Sequence, residues 1–114
     1  MPNEISLDIR DSISLMKIVG DLTYSSEPCL KDAYQQIEKH SGITDLILVF
    51  DKEAYINSGG IAALIQMLAE IRKTDMRVGI TGVSDHFAKI FKMVGIAKLA
   101  RIFGSLDEAL ASMG

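Results

Sequence analysis

The strongest constraint on the fold is an apolar run at residues 46–50, Leu-Ile-Leu-Val-Phe, which ends at Asp51. A run without polar alternation is typical of a central strand that is covered on both faces. Residues 61–71 follow with Ile, Leu, Ile, Leu and Ile at the i, i+3, i+4, i+7 and i+10 positions, the spacing of an amphipathic helix. A Ser-Gly-Gly sequence at 58–60 precedes that helix. The chain therefore runs from a buried strand through a short loop into a helix that opens with a hydroxyl and two glycines.

The remaining elements follow from the same kinds of pattern. Apolar and polar residues alternate on either side of Asp11 and Ser12, two residues that favour turns, so the chain begins with a predicted hairpin. Serines at helix starts and a Ser-x-x-Glu capping box mark the other helices. The predicted strands are at 5–10, 13–19, 46–50, 77–81 and 100–103, and the predicted helices open at Ser26, Ser58, Ser84 and Ser105.

The order of these elements, ββαβαβαβα, predicts an α/β protein. Its mixed sheet should have four to five strands and about four helices, with residues 46–50 in the central strand. The strand–helix–strand units imply parallel neighbours joined by right-handed crossovers, and the hairpin adds one antiparallel pair. We expect residues 1–114 to form a single domain.

Composition argues against several functions. The formal net charge is −3 and the basic residues are scattered, so we expect no direct nucleic-acid partner. Cys29 is the single cysteine, which leaves no internal disulfide, and we expect its thiol to be buried or half-buried. No basic and apolar leader opens the sequence, and the least charged stretch, 54–69, contains Asn57, Ser58 and Gln66. We therefore expect no membrane insertion and a cytoplasmic protein.

The sequence offers no set of residues suited to catalysis or metal binding. Asp51 and Glu53 lie close together, but no histidine or second acid completes a hydrolytic set beside them. We expect Asp51 to end the strand and to bind loop N–H groups. His40 and His86 lie near the ends of different helices without the spacing of metal ligands. We therefore expect no enzymatic activity, no catalytic residue, no metal and no cofactor.

The start of the second helix allows more than one role. A helix N-terminus is electropositive and has unpaired N–H groups, so Ser58 can cap the helix, contact an anion or accept a phosphate. Gly59 and Gly60 supply either backbone freedom at the turn or room for the close approach of a partner or anion. They do not form a P-loop, because the Gly-Lys-Ser/Thr sequence is absent.

Four segments, in this order and at these spacings, resemble the STAS domain, a family named for sulfate transporters and bacterial anti-sigma factor antagonists. They are Val-Gly-Asp-Leu at 19–22, Leu-Val-Phe-Asp at 48–51, Ile-Asn-Ser-Gly-Gly-Ile at 56–61, and a closing segment at 94–99 and 102–110. The resemblance covers nearly the whole chain and implies the STAS fold. Asn57 stands where the family usually has an acid, and Gly59 takes the place of a second hydroxyl.

The resemblance implies a non-enzymatic, protein-binding regulator similar to the anti-sigma factor antagonists of partner-switching circuits. Its implied partner is an anti-sigma factor, a serine kinase with a histidine-kinase-like ATPase fold. Phosphorylation of a hydroxyl before the second helix abolishes binding in such circuits, and Ser58 is the candidate phosphoacceptor here. The expected partner-binding loop consists of Asp51, Tyr55, Asn57, Ser58, Gly59 and Gly60, and the expected secondary surface of Met67, Ser84 and Asp85.

Two other functions remain open at this point. Some small STAS proteins are accessory subunits that dock on the ATPase of a lipid-trafficking ABC transporter, and the resemblance to them is as good. A small-ligand module that holds an anion at the start of the second helix is the other alternative. The sequence does not name the partner or fix the oligomeric state.

Overall fold

The computed structural model describes residues 4–113 and contains the predicted elements in the predicted order. The strands are β1 (Glu4–Arg10), β2 (Ile13–Val19), β3 (Asp45–Phe50), β4 (Arg77–Thr81) and β5 (Arg101–Ile102). The helices are α1 (Glu27–Glu38), α2 (Ser58–Arg72), α3 (Asp85–Met93) and α4 (Leu106–Met113), and short 3-10 turns occupy Tyr24–Ser26 and Ile96–Lys98.

The strands lie side by side in chain order, from β1 to β5. β1 and β2 are antiparallel, with Arg10 opposite Ile13, and Asp11 in the turn between them has a φ of 54°. The pairs β2–β3, β3–β4 and β4–β5 are parallel. The predicted mixed sheet with β3 at its centre is confirmed. Strands β2 to β5 all finish at one end of the sheet, which we call the carboxyl end, and the opposite end is the amino end.

The main core lies between one face of the sheet and helices α1, α2 and α3. Met16 of β2 and Leu48 of β3 point into it. The predicted apolar stripe of α2 faces the same core, with Leu64, Leu68 and Ile71 at no more than 1% exposure. Burying such side chains contributes about 2 kcal/mol each, so this layer supplies much of the stability.

A second, smaller core lies on the other face of the sheet, under α4. Leu15 of β2 and Ile47 of β3 point to this face and pack with Phe103, Ala109 and Met113. Adjacent residues of the same two strands point into the main core. Because β3 is covered on both faces, its sequence has no polar alternation, as the apolar run predicts.

The structure contains a charged pair at the amino end of the sheet that the sequence patterns do not predict. Asp45 opens β3 and is 1% exposed. Its carboxylate accepts two hydrogen bonds from the Arg77 guanidinium, at 2.7 and 3.0 Å. The same guanidinium donates to the carbonyl oxygen of Met113 at 3.0 Å. Arg77 thus ties β3, β4 and the end of α4 together and satisfies the buried carboxylate.

Two side chains of the α1 region differ from prediction. Cys29 is exposed, because the buried stripe of α1 runs from Leu30 to Ile37 and Cys29 lies outside it. Ser26 precedes α1, but its hydroxyl does not cap that helix. It accepts a hydrogen bond from the N–H of Thr23 at 2.9 Å, which closes the preceding 3-10 turn.

Replacing Leu64 with Asp is expected to prevent folding, since an unpaired carboxylate in the main core costs several kcal/mol. Thermal unfolding followed by circular dichroism measures the effect. The matched control, Gln66→Asp, places the same group on the exposed side of α2 and should change stability by no more than about 0.5 kcal/mol. A native melt for Leu64→Asp would show that the stripe does not face a core.

Replacing Arg77 with Met should lower the free energy of unfolding by about 2–3 kcal/mol, because Asp45 keeps its buried charge and loses both guanidinium hydrogen bonds. Urea unfolding measures this loss. Lys73→Met is the control, since it removes the cation of an exposed pair with Glu70 and should cost less than about 1 kcal/mol. Equal losses in the two variants would mean that the buried Asp45 pair contributes no more to stability than the exposed pair.

Candidate functional site

The residues predicted for partner binding gather at the carboxyl end of the sheet. β3 ends at Phe50, and a short loop leads to Ser58, the first residue of α2. The carbonyl oxygen of Asp51 accepts the N–H of Ala54 at 2.9 Å, and its side chain accepts the N–H of Glu53 in a long bond of 3.4 Å. Asp51 therefore ends the strand and binds loop N–H groups, as predicted.

The loop is held by the segment that follows β2. The N–H of Leu22 donates to the carbonyl oxygen of Tyr55 at 2.9 Å, and the N–H of Asn57 donates to that of Leu22 at 3.2 Å. Leu22 and Ile56 thus form a parallel bridge. The Asp21 carboxylate also accepts the N–H of Tyr55, at 3.3 Å. The pairing of β2 with β3 continues past both strands and fixes the path of the loop.

The two glycines serve a different purpose from either predicted role. Neither Gly59 nor Gly60 has a positive φ, so the helix start needs no left-handed backbone. A Cβ on Gly59 would lie 2.8 Å from the Cβ and 2.9 Å from the nitrogen of Tyr24, and one on Gly60 would collide with the carbonyl oxygen of Leu22. The missing side chains allow α2 to pack directly on the segment after β2. The close approach is therefore made by the chain itself.

Asn57 caps α2, so of the three roles that the sequence left open for Ser58, the cap is excluded. The side-chain oxygen of Asn57 accepts the N–H of Gly60 at 2.9 Å, and its carbonyl oxygen accepts the N–H of Ile61 at 2.9 Å. The extended backbone of Asn57, with ψ at 179°, turns its side chain over the helix end. Ser58 is exposed at the next position, and within residues 4–113 its hydroxyl makes no hydrogen bond.

Two exposed tyrosines lie near the start of α2. Tyr24 is 73% exposed, and its backbone packs on Gly59; Tyr55 is 59% exposed. The Tyr55 ring meets the Phe87 ring of α3 edge to face, with the centroids 6.1 Å apart. This contact brings the loop and the start of α3 together. We call Tyr24, Tyr55 and Ser58 the Ser58 face.

The predicted secondary surface is present only in part. Ser84 caps α3 by accepting the N–H of Phe87 at 3.3 Å, and Asp85 is exposed beside it. Met67 is only 7% exposed, so its prediction as a surface residue is wrong. It lies on the side of α2 that faces the main core.

Tyr24 is the residue of this face that sequence analysis missed. Its neighbourhood indicates only a helix entry, and nothing in the local pattern places it against Gly59 at the start of α2. The pair Gly59 and Gly60 is the one signal that could have pointed to it, since two adjacent glycines at a helix start can mark a close backbone contact. That signal does not name the contacting segment. Gly59 and Gly60 meet residues 22–24, which lie 35–38 residues earlier in the chain.

The chemistry open to the Ser58 face is binding and modification of a hydroxyl. Among residues 4–113, no three His, Cys, Asp or Glu side chains are placed to hold a metal ion. Every helix within residues 4–113 is too short or too polar to span a bilayer. The Asn57 side chain already occupies the Gly60 N–H, which leaves fewer donors for a free anion than an uncapped helix would have.

Proteins of known role resemble this chain in sequence and in structure. The anti-sigma-B factor antagonist of Staphylococcus aureus is 22% identical over 98 residues, which is 86% of this chain and 90% of that protein. A solved anti-sigma factor antagonist from Mycobacterium paratuberculosis superposes with a TM-score of 0.79 at 17% identity, covering 97% of this chain and 93% of the other. The phosphorylated form of the Bacillus cell fate determinant SpoIIAA superposes with a TM-score of 0.69 at 14% identity, covering 97% and 100%. At these identities the structural likeness shows a shared fold.

The STAS domain profile matches residues 4–109, a range that includes all five strands and the Ser58 face. The five-stranded mixed sheet with four helices agrees with this match. The chain belongs to the STAS domain family.

Proposed function

We propose that this protein is an anti-sigma factor antagonist that binds its partner through the Ser58 face. The observation that carries the proposal is the exposed Ser58 hydroxyl, which makes no hydrogen bond within residues 4–113, at a helix start beside two exposed tyrosines. This hydroxyl is not needed to stabilise the fold, and several backbone contacts hold the surface around it. It is therefore suited to recognition and modification. The name of the Staphylococcus aureus relative supports an anti-sigma factor as the partner.

The Ser58 face has the physical character of a protein interface. Tyrosine is enriched at interfaces because it offers a large contact area at a low cost in side-chain entropy. Here the Tyr55 ring packs on Phe87 and the Tyr24 backbone packs on α2, so both are partly ordered before a partner arrives. Such preorganisation reduces the entropy lost on binding.

The charge around the face favours a neutral or basic partner surface. Asp51, Glu53 and Asp85 lie in the segments that frame it, and Lys52 is the one cation among residues 51–58. An acidic frame steers a basic patch of the partner and repels an acidic one. The partner we propose is a serine kinase with a histidine-kinase-like ATPase fold, because it would bind the face and also phosphorylate its hydroxyl.

A phosphate on Ser58 would act locally and leave the fold intact. It adds a charge of about −1.5 to −2 and three acceptor oxygens. The helix N-terminus partly offsets this charge within the chain. The partner, however, would meet a dianion on a face already framed by carboxylates, so phosphorylation is expected to separate the two proteins.

Alanine at Tyr24 or Tyr55 should weaken binding to the anti-sigma factor by about tenfold or more, the usual cost of removing a central aromatic contact. Isothermal titration calorimetry with the purified anti-sigma factor measures this affinity. Lys39→Ala, an exposed substitution just after α1, is the control and should leave affinity unchanged. Undiminished binding by both tyrosine variants would place the interface elsewhere on the chain.

Incubation with the kinase and ATP should add one phosphate, which mass spectrometry should map to Ser58, and the product should bind the partner more weakly. Ser58→Asp should reduce affinity through its charge, and Ser58→Ala should bind constitutively. Because Asn57 caps α2, Ser58→Ala should not change the melting temperature, whereas Asn57→Ala should cost about 1 kcal/mol.

A phosphate mapped to another residue, or tight binding by Ser58→Asp, would contradict the switch. If Ser58→Asp binds tightly and no phosphate is transferred, the protein would be a constitutive binder. If this protein binds the ATPase of an ABC transporter and does not bind an anti-sigma factor, the result would support the accessory-subunit alternative.

A further inference from the structure

The first strand of the sheet has a free edge. β1 pairs with β2 on one side, and in the described chain no strand lies on its other side. The strand is regular, since residues 4–10 pair with residues 13–19 without a bulge. It also contains no proline and no lysine. Prolines, lysines and bulges commonly prevent an edge strand from pairing with another chain, so their absence leaves β1 open to such pairing.

Backbone groups of alternate residues point out of this edge. The carbonyl oxygen of Ile18 in β2 accepts the N–H of Asp51 at 3.3 Å, on the side of β3. Ile18 therefore exchanges no hydrogen bonds with Ile5, the residue opposite it in β1. Because the two kinds of pair alternate along an antiparallel ladder, the N–H and C=O groups of Ile5, Leu7 and Ile9 point away from β2. Each of these residues offers one donor and one acceptor to a further strand.

The side chains of β1 form two rows, one on each face of the sheet. The apolar row lies on the face of the main core and is only half-buried there: Ile5, Leu7 and Ile9. The polar row lies on the opposite face: Glu4, Ser6, Asp8 and Arg10. Within one chain the Arg10 guanidinium lies 2.9 Å from the Asp8 carboxylate. The strand therefore has incompletely buried apolar side chains on one face and charges of both signs on the other.

Both rows are complementary to themselves when the strand is reversed. If a second copy pairs antiparallel with Leu7 opposite the partner's Leu7, Glu4 lies opposite the partner's Arg10. Ser6 then lies opposite the partner's Asp8, and the apolar rows meet. A register two residues away in either direction places Asp8 opposite the partner's Glu4 or opposite the partner's Asp8, and like charges in such pairs are destabilising. A shift of one residue sets the apolar row against the polar one, so charge and polarity select a single register.

We propose that β1 is a dimerisation edge, at which two copies of this chain pair antiparallel about a two-fold axis through Leu7. The outward-facing N–H and C=O groups of each copy would bond to those of the other, and the pairs of Glu4 with the partner's Arg10 would flank them. Arg10 would then bridge Asp8 of its own chain and the partner's Glu4. The pairing joins the two sheets into one continuous sheet. Because both copies use the same patch, the assembly closes at the dimer.

A second copy fits this edge better than an unrelated strand, because the complementary order of charges and apolar residues belongs to β1 itself. The dimer is also separate from the proposed binding of an anti-sigma factor. No residue of the Ser58 face lies in β1. The dimer would therefore carry two Ser58 faces, and its formation does not depend on what binds them.

The first experiment measures self-association of the full chain by sedimentation velocity from low micromolar to millimolar concentration. We expect a monomer at the low end and a dimer, with no larger species, at the high end. Amide hydrogen exchange followed by NMR locates the interface. The N–H groups of Ile5, Leu7 and Ile9 should exchange more slowly as the concentration rises. Those of Ser6 and Asp8 face β2 and should be protected at every concentration, which makes them an internal control.

The second experiment tests the register by exchanging charges. Arg10→Glu sets a carboxylate opposite the partner's Glu4 at both ends of the interface and should weaken dimerisation by about tenfold or more. Glu4→Arg should do the same, and the double variant with both substitutions should recover the affinity of the parent protein. Lys31→Glu, at an exposed position of α1, changes the net charge as much as Arg10→Glu and should change the affinity by less than about twofold. All three side chains are exposed, and melting temperatures close to that of the parent protein confirm folding.

A protein that stays monomeric at millimolar concentration would overturn the proposal. So would a dimer in which the outward-facing amides of β1 remain unprotected, because the interface would then lie elsewhere. If the double variant dimerises no better than the single ones, or if Lys31→Glu weakens the dimer as much as Arg10→Glu, the proposed register is wrong. Failure of an anti-sigma factor to bind the Ser58 face would not affect these measurements.

Discussion

The two-sided burial of β3 is the constraint on which the rest of the structure depends. Leu48 points into the main core under α1, α2 and α3, and its neighbour Ile47 points to the smaller core under α4. A strand with apolar side chains on both faces is stable only when helices cover both, so all four helices have to pack around it. The parallel strands beside β3 then place the loops of the chain at two opposite ends of the sheet.

The carboxyl end of the sheet is fixed by backbone contacts. Gly59 and Gly60 let α2 approach the segment after β2, and Leu22 continues the pairing of β2 with the loop after β3. Because Asn57 caps the helix, the Ser58 hydroxyl is not needed to stabilise the helix start. A surface of this kind keeps its shape while its charge changes, which is what a protein controlled by phosphorylation requires.

The amino end of the sheet holds a buried charge that is neutralised within the chain. Asp45 is buried and held by Arg77, so this pair ties strands β3 and β4 to the end of α4. This pair lies at the opposite end of the sheet from the Ser58 face, so the charges that stabilise the fold are separate from the candidate binding surface.

The sequence by itself determined the elements, their order and the central position of β3, because apolar periodicity and helix caps are local properties of the chain. Sequence also singled out the loop from Asp51 to Gly60 as the candidate site. The cap of α2 is also a local contact, but the choice between the neighbours Asn57 and Ser58 was settled by the geometry of the helix start. Only the tertiary structure decided that Met67 is buried, that Tyr24 lies against Gly59 and that Asp45 pairs with Arg77. These features depend on contacts between residues far apart in the chain, whose partners no local pattern names.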